Sequence, residues 1–226
     1  MTKRLWEIDF LRGLAIVLMI LFHLMVDLRD FYGYLFDYAH GWLYYAGKLS
    51  AVLFLLLAGL STRFSRRPLR HGLQILGWGM VVTLVTYLYN PAVYVRFGIL
   101  HLIGSGLMLS YGTRGFDQGR RIILALGLLA GGRMAAEAAT TRVWLVPLGI
   151  VPAGFASLDY YPLLPWAGVI LLGAWAGEYL YPAPRSLLKH EPGPNPLTYM
   201  GRHSLSIYLL HQPLLLVLLW LIHGGR

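Results

Sequence analysis

Residues 72–95 read GLQILGWGMVVTLVTYLYNPAVYV, a run without one Asp, Glu, Lys or Arg. Further uncharged runs lie at residues 143–158, 160–177 and 204–225. A helix that crosses a bilayer needs about 20 predominantly apolar residues. Only 13% of the 226 residues are charged and 57% are apolar, whereas a soluble domain carries about a quarter charged residues. The sequence therefore predicts an all-α, polytopic transmembrane helix bundle.

The apolar segments predict about seven spans. They are placed near residues 11–28, 42–62, 72–90, 96–112, 122–138, 161–180 and 203–222. The fifth is the least apolar, because Arg133 interrupts it. Residues 143–156 contain Pro147 and Pro152, which favours a membrane-lying or re-entrant stretch of a long loop. The proline-rich residues 182–197 are expected to form a cytoplasmic linker.

The basic residues predict the orientation of the bundle. Most of the 19 Lys and Arg residues fall near the N-terminus and in the loops after the second, fourth and sixth spans: Lys3, Arg4, Arg12, Arg63, Arg66, Arg67, Arg70, Arg114, Arg120, Arg121, Arg185, Lys189 and Arg202. The positive-inside rule makes that side cytoplasmic, so the N-terminus is predicted to be cytoplasmic. This sorting accounts for the net charge of +9, and no nucleic-acid partner is expected.

Two classes of catalytic site are disfavoured by the residue types available. The chain has no cysteine, so it has neither a thiol nucleophile nor a disulfide framework. Its histidines are scattered without the spacing of metal ligands, so no metal site is expected. No internal repeat suggests a transporter with inverted halves.

Arg12 and His23 are the first candidate pair, because ionisable residues at membrane depth are costly and need a reason. They lie about three helical turns apart, or roughly 16 Å along the axis. A cytoplasmic donor with phosphates at one end would pair with Arg12, and its reactive end would reach His23. The alternative is that Arg12 is an interfacial anchor and His23 a helix-packing residue.

His40 lies in the first outer loop, three residues after Asp37. A histidine at the outer mouth suits a general base on an amine or hydroxyl acceptor, and Asp37 is close enough in sequence to orient it. The alternative is a histidine within an interfacial aromatic belt.

Three further segments carry polar residues toward the membrane. Arg96 and His101 open the fourth span, and Asp159 and Tyr160 precede a proline-bounded approach to the sixth span. His211 lies inside the last span, two residues before Pro213. Each of these positions also fits a structural role, as an interfacial anchor, a helix-packing residue or an ordinary turn.

The motifs together resemble the transmembrane acyltransferase superfamily. Residues 7–16 (EIDFLRGLAI), 96–101 (RFGILH), 159–166 (DYYPLLPW) and 201–205 (GRHSL) resemble the heparan-alpha-glucosaminide N-acetyltransferase catalytic domain and its short bacterial relatives. The spacing of Arg12 and His23 and residues 211–213 (HQP) are instead similar to the integral-membrane O-acyltransferases.

This resemblance implies a single domain over residues 1–226 in the bacterial inner membrane. The domain would take acetyl-CoA as co-substrate from the cytoplasm and acetylate an amino sugar or glycan on the outer side. The lipid bilayer is a further partner, and the resemblance is compatible with a homodimer. A small proton-coupled transporter or a non-catalytic membrane subunit is the alternative.

The resemblance also implies roles for individual residues. The lysosomal branch uses a histidine at the position of His40, and the O-acyltransferases use one at the position of His23, so the identity of the base stays open. The expected catalytic residues are His40, His23 and Asp159. The expected acetyl-CoA-binding residues are Arg12, His23, Arg63, Arg66 and Arg67. The expected acceptor-binding residues are Asp37, Arg96, His101, Tyr160 and His211.

Overall fold

The computed structural model describes residues 5–138, 140–188 and 195–224. Within these ranges the chain is helical and forms no strand, as the sequence predicted. The α-helices are α1 (Trp6–Tyr32), α2 (Gly41–Ser61), α3 (Pro68–Tyr89), α4 (Ile99–Gly112), α5 (Gln118–Glu137), α6 (Leu163–Leu180), α7 (Pro196–Arg202) and α8 (Ser204–Ile222). Three of the basic residues used to predict the orientation lie outside the described residues: Lys3, Arg4 and Lys189.

Five helical segments among the described residues are long and apolar enough to cross a membrane. They are Trp6–Tyr32, Gly41–Phe64, Pro68–Tyr89, Leu163–Leu180 and Ser204–Ile222. Helix α4 is apolar but has only 14 residues, or about 21 Å of axis against a hydrocarbon core of about 30 Å. A multi-pass membrane protein is thus confirmed, while the total of about seven spans stays a prediction.

Two connecting regions differ in detail from the sequence interpretation. Val143–Leu148 forms a 3-10 helix. The predicted linker ends at Asn195, because α7 begins at Pro196. Asn195 Oδ1 accepts the N–H of Leu197 at 2.8 Å, and proline is favoured at a first helical position because its missing N–H would have no partner there. The sequence analysis missed this short helix.

The chain folds as two compact units. The first unit comprises Met1–Phe54 and Pro184–Arg226, and the second comprises Leu55–Ala183. The first unit is therefore assembled from the two ends of the chain.

In the first unit, α1 contacts α2, α7 and α8. A methyl group at Gly13 would overlap the carbonyl of Leu197, and one at Gly201 would overlap the carbonyl of Asp9, so these two glycines let α1 and α7 approach closely. Helix α2 runs antiparallel to α1, since Ser50 Oγ donates to the Ala15 carbonyl at 2.8 Å while Gly47 faces Phe22.

In the second unit, α3 pairs with α4 and α5 pairs with α6, both antiparallel. Gly72 faces Gly104 while Gly79, two turns later on α3, faces His101. Likewise Ala125 lies against Gly168 and Gly132 lies against Pro165. Small residues at helix contacts allow the close packing that stabilises bundles in lipid.

Candidate functional site

A pair of histidines occupies the contact between α1 and α8. The His23 and His211 rings lie edge to face with centroids 4.9 Å apart. His23 Nδ1 is 2.9 Å from the Met19 carbonyl, and His211 Nδ1 is 2.6 Å from the Tyr208 carbonyl. Because a carbonyl can only accept, each Nδ1 carries the proton, and each neutral ring keeps its lone pair on Nε2. His211 is only 8% exposed.

The lone pair of His211 has no hydrogen-bond donor in the described part of the chain. His211 Nε2 is buried there without a partner. A buried polar atom in this state costs free energy, roughly 1–3 kcal/mol, and such atoms in a native fold are rare. This nitrogen is therefore available to accept a proton or hydrogen bond from a ligand.

Asp27 and Gln212 form a second buried contact between the same helices. Gln212 Nε2 donates to both carboxylate oxygens of Asp27, at 2.8 and 3.0 Å. Asp27 is only 3% exposed. Gln212 Oε1 is buried without a hydrogen-bond partner among the described residues. The α1–α8 contact therefore presents two unpartnered acceptor atoms, one on His211 and one on Gln212.

His40 and Asp37 form an exposed pair in the loop before α2. His40 Nδ1 lies 3.2 Å from Asp37 Oδ2, and the His40 side chain is 84% exposed. Asp37 Oδ1 accepts the N–H groups of Ala39 at 2.9 Å and His40 at 3.1 Å. The Ala39 N–H is the main reason that the pKa of Asp37 lies below its ordinary value, and His40 lowers it further. The ionised carboxylate thus orients the imidazole with Nε2 facing outward.

Tyr38 attaches this loop to α1. Its ring lies 6.5 Å from that of Phe22, and the Arg29 guanidinium lies 4.6 Å above it. The loop that carries His40 therefore packs on the C-terminal half of α1, the helix that also carries His23.

Arg12 belongs to an ionic cluster at the start of α1. Its Nη1 lies 3.3 Å from Asp9 Oδ1, and Arg202 Nε lies 3.4 Å from Asp9 Oδ2. Asp9 is buried, while the side chains of Arg12 and Arg202 are 26% and 45% exposed. Glu7 accepts from Ser186 Oγ and Leu187 N, both at 3.0 Å. Two guanidinium groups thus contact one buried carboxylate at the start of α1.

Arginines also gather where α2, α4 and α6 end in the second unit. Arg63 donates to the carbonyls of Tyr181 at 3.2 Å and Pro182 at 2.8 Å. Arg121 pairs with Glu178 at 2.6 Å. Arg66 and Arg67 are exposed. Of the arginines predicted to bind acetyl-CoA here, Arg63 therefore caps a helix C-terminus, whose carbonyls favour a cation.

Arg96 lies between two aromatic rings near the start of α4. Its guanidinium carbon is 5.0 Å from the Tyr94 ring and 5.2 Å from the Phe155 ring. Its backbone N–H donates to Ser157 Oγ at 3.2 Å. Arg96 Nε is buried without a hydrogen-bond partner among the described residues. The side chain is thus held in place by cation–π contacts while part of its donor capacity stays unused.

His101 has both ring nitrogens engaged. Its Nδ1 accepts the Gly98 N–H at 3.2 Å, so the ring proton lies on Nε2, which is 3.3 Å from Thr83 Oγ1. Thr83 donates its own proton to the Val95 carbonyl at 2.7 Å. His101 is 4% exposed, and this network joins the start of α4 to α3.

Asp159 and Tyr160 stabilise the approach to α6. Asp159 Oδ2 accepts the N–H of Ile99 at 2.9 Å, so it caps the N-terminus of α4, where negative charge is favoured. Tyr160 donates its hydroxyl to the Val146 carbonyl at 2.7 Å. Burial raises the pKa of Tyr160 to about 12, so the phenol stays protonated at neutral pH.

The predicted site residues thus form two sets. His23 and His211 meet in the first unit, where Asp37 meets His40 and Arg12 joins the Asp9 cluster. Arg63, Arg66, Arg67, Arg96, His101, Asp159 and Tyr160 belong to the second unit. Nowhere in residues 5–138, 140–188 and 195–224 do three His, Asp or Glu side chains gather as metal ligands do.

The contact between Asp27 and Gln212 was not predicted from the sequence. Two features of the sequence nevertheless mark these residues. Asp27 follows His23 by four residues, so both lie on one face of α1. Gln212 directly follows His211 in an otherwise apolar helix. Arg202 was counted only for orientation, although it shares Asp9 with Arg12.

Comparison with known proteins supports the resemblance found in the motifs. No curated protein and no solved structure matches the chain significantly. The family model described as heparan-alpha-glucosaminide N-acetyltransferase, catalytic, matches residues 4–213, which include α1, the loop with His40 and the α8 segment up to Pro213. The chain therefore belongs to this family of acetyl-CoA-dependent transmembrane N-acetyltransferases.

Proposed function

We propose that this chain is an acetyltransferase of the bacterial inner membrane that moves an acetyl group from cytoplasmic acetyl-CoA to an amino sugar or glycan on the outer side. The family match over residues 4–213 supports treating residues 1–226 as one transmembrane acyltransferase-like domain.

Seven crossings with a cytoplasmic N-terminus are part of the proposal. Within the first unit α2 runs opposite to α1, and within the second unit α3 and α4, and α5 and α6, run opposite to each other. Within each unit, these directions agree with consecutive helices that cross in opposite senses. Arg63, Arg114 and Arg121 gather where α2, α4 and α6 end and α5 begins, as the positive-inside rule requires for a cytoplasmic face.

The observation that carries the proposal is the pair of histidines at the α1–α8 contact, of which His211 is buried. In acetyl transfer the attacking amine or hydroxyl forms a bond to the acetyl carbon and loses a proton, while CoA leaves as a thiolate that takes up a proton. A positioned base that accepts the first proton speeds such a step. His23 and His211 both keep the Nε2 lone pair at the α1–α8 contact, and the lone pair on His211 is buried without a partner among the described residues. A neutral imidazole in this state is suited to accept that proton.

The donor would bind through positive charge at the cytoplasmic end. Arg12 lies within the Asp9 cluster, and Arg66 and Arg67 are exposed after α2. Guanidinium groups match phosphate geometry well, so the arginines of each unit are by themselves suited to phosphates such as those of acetyl-CoA. Within the second unit, Arg63 supports the loop that carries Arg66 and Arg67. The acetyl end would then extend along α1 toward His23.

The acceptor would bind from the outer end. His40, held by Asp37, competes with His23 for the role of base. Within the second unit, Arg96 Nε is a donor that a polar acceptor could use. Asp159, Tyr160 and His101, which the family resemblance also assigns to catalysis or acceptor binding, support this region through their contacts with Ile99, Val146 and Thr83.

The direct test is acetyl transfer by the full chain in nanodiscs. Purified protein is given acetyl-CoA and glucosamine, and N-acetylglucosamine and free CoA are quantified. Turnover should fall by about 10²–10⁴-fold in whichever of His23→Ala and His40→Ala removes the base, and should persist in His71→Ala, an exposed histidine of α3. Full turnover in the variant lacking both His23 and His40 would contradict the assignment of the base.

A small proton-coupled transporter is the second candidate, because buried His and Asp residues also suit a proton relay. Thermal unfolding with and without CoA separates the two. An acetyltransferase should gain about 2.7 kcal/mol of stability at a CoA concentration roughly a hundredfold above its Kd. No gain, together with proton flux in liposomes, would favour the transporter, whereas no gain without flux would favour a non-catalytic subunit.

A further inference from the structure

We infer that Asp27 is a positioning residue of the acetyltransferase, acting through Gln212 to keep the imidazole lone pairs of the α1–α8 contact free to accept a proton. The inference rests on the proposed function, since it concerns the histidine pair assigned there to proton transfer.

The side-chain amide of Gln212 has a defined orientation. Both contacts of Asp27 with Gln212 are made by Gln212 Nε2, at 2.8 and 3.0 Å. The donor end of the amide therefore faces the carboxylate, and its carbonyl oxygen is left buried without a partner in the described chain. Asp27 determines which way this amide is turned.

Asp27 and Gln212 lie close in sequence to the two histidines of the α1–α8 contact. Asp27 lies one helical turn beyond His23 on α1, and Gln212 is the neighbour of His211 on α8. Along both helices, the Asp27–Gln212 contact therefore follows the ring pair within about one turn.

An amide N–H can compete with a proton for the Nε2 lone pair of His211. A hydrogen bond donated to an imidazole Nε2 occupies the electrons that a base needs. Gln212 follows His211 directly on α8 and carries a half-buried amide donor, which Asp27 occupies. Without the carboxylate, the amide N–H groups would lose their acceptor, and leaving such a donor unsatisfied is unfavourable. We expect the released amide to compete for the unpartnered Nε2 of His211.

Packing alone does not explain the contact. A carboxylate inside a membrane helix is costly, and two apolar residues of similar size would fill the same space at little or no cost. The contact leaves Gln212 Oε1 unpartnered as well, so it is poorly optimised as a structural hydrogen bond. Both the carboxylate within the helix and the unpartnered oxygen of Gln212 are accounted for if Asp27 serves to occupy the amide donor close to a base.

The test compares four variants in nanodiscs with acetyl-CoA and glucosamine. In Asp27→Leu the amide is released, and kcat should fall by at least about tenfold with little change in the KM for acetyl-CoA. In Asp27→Asn the side-chain oxygen still accepts from Gln212, so kcat should stay within about threefold of the native value. In Gln212→Met the donor itself is absent, so kcat should also stay within about threefold. Adding Gln212→Met to Asp27→Leu should restore most of the lost turnover.

Helix register is followed separately, because the chain has no cysteine of its own. Tyr32 and His223 stack with ring centroids 3.9 Å apart farther along α1 and α8. Cysteines introduced at both positions should cross-link equally fast in the Asp27→Leu and native backgrounds if the helices keep their packing. Equal cross-linking with a selective loss of kcat distinguishes occupation of the amide donor from general disruption.

Three outcomes would overturn the inference while leaving the proposed function intact. They are native turnover in Asp27→Leu, loss of turnover in Gln212→Met, and a loss in Asp27→Leu that Gln212→Met does not restore. Absence of acetyl transfer by the native chain would instead contradict the proposed function itself. If Asp27→Leu fails to fold, Asp27→Ala takes its place, with the same expected loss of kcat and the same restoration by Gln212→Met.

Discussion

Two buried histidine contacts, one in each unit, use their ring nitrogens in opposite ways. His101, between α3 and α4, accepts from Gly98 and donates to Thr83, so both nitrogens are engaged. His211, between α1 and α8, engages only Nδ1 and leaves Nε2 buried without a partner among the described residues. The two side chains are similarly buried, at 4% and 8% exposure.

This difference separates a structural histidine from one available for chemistry. A satisfied buried network stabilises a fold and gives a ligand nothing to bind. An unsatisfied buried acceptor lowers stability and persists where it serves another purpose. Burial alone, which the sequence predicts for both histidines, cannot distinguish them, because the distinction lies in their hydrogen-bond partners.

The largest expected effect is at His211. Replacing it with Phe keeps the ring but removes Nε2, so turnover should fall by about a hundredfold or more, in the range of a lost acid–base group. Stability should change little, because the Nδ1 hydrogen bond to the Tyr208 carbonyl is lost together with the unsatisfied Nε2. Product formation and thermal unfolding of the same preparation measure both. Unchanged turnover would show that the orphaned nitrogen has no role in transfer.

The reverse result is expected at His101. In His101→Phe the Gly98 N–H loses its acceptor, so the free energy of unfolding should fall by about 1–3 kcal/mol, while kcat in the folded fraction stays close to native. Unfolding in denaturant and single-turnover assays provide the two readouts. A loss of kcat without a loss of stability would instead favour an acceptor-binding role for His101.

The sequence predicted most of the helices, because length and apolar composition determine which segments suit a bilayer. All seven predicted spans coincide with helices, whereas α7 was missed because its seven residues carry no long apolar run. The contact between Asp37 and His40 could also be predicted from the sequence, because the two residues are three positions apart. The Asp27–Gln212 contact was not, because its partners are 185 residues apart in the chain and only packing brings them together.

The effect expected at Asp159 lies between those at the buried histidines and at the exposed loop. Its carboxylate, expected from sequence to be catalytic, caps the N-terminus of α4. Asp159→Ala removes the acceptor for the Ile99 N–H and should cost about 0.5–2 kcal/mol, as for other lost helix caps. Asp159→Asn keeps an acceptor oxygen and should recover most of that stability. Thermal unfolding measures the difference. If turnover is lost in Asp159→Asn while stability is kept, the carboxylate has a catalytic role beyond the cap.

The smallest effect is expected at the exposed pair of Asp37 and His40. The Ala39 N–H lowers the pKa of Asp37 below its ordinary value of 3.8, so the folded loop favours the ionised form. The stabilisation of this turn is therefore complete above the ordinary pKa and is lost only as the pH falls through the lowered one. Carboxyl-carbon NMR of labelled Asp37 should follow that titration, and a midpoint above 3.8 would contradict it.

The assembly of the first unit from both ends of the chain has a consequence for biosynthesis. Asp27 and Gln212 are 185 residues apart, and ribosomes add about 5–20 residues per second. Helix α1 therefore enters the membrane about ten to forty seconds before α8 is made. During that interval the Asp27 carboxylate lacks the amide that later binds it, and Asp9 lacks Arg202. The nascent helix must meanwhile be sheltered from lipid, by an insertase or by water at the translocon.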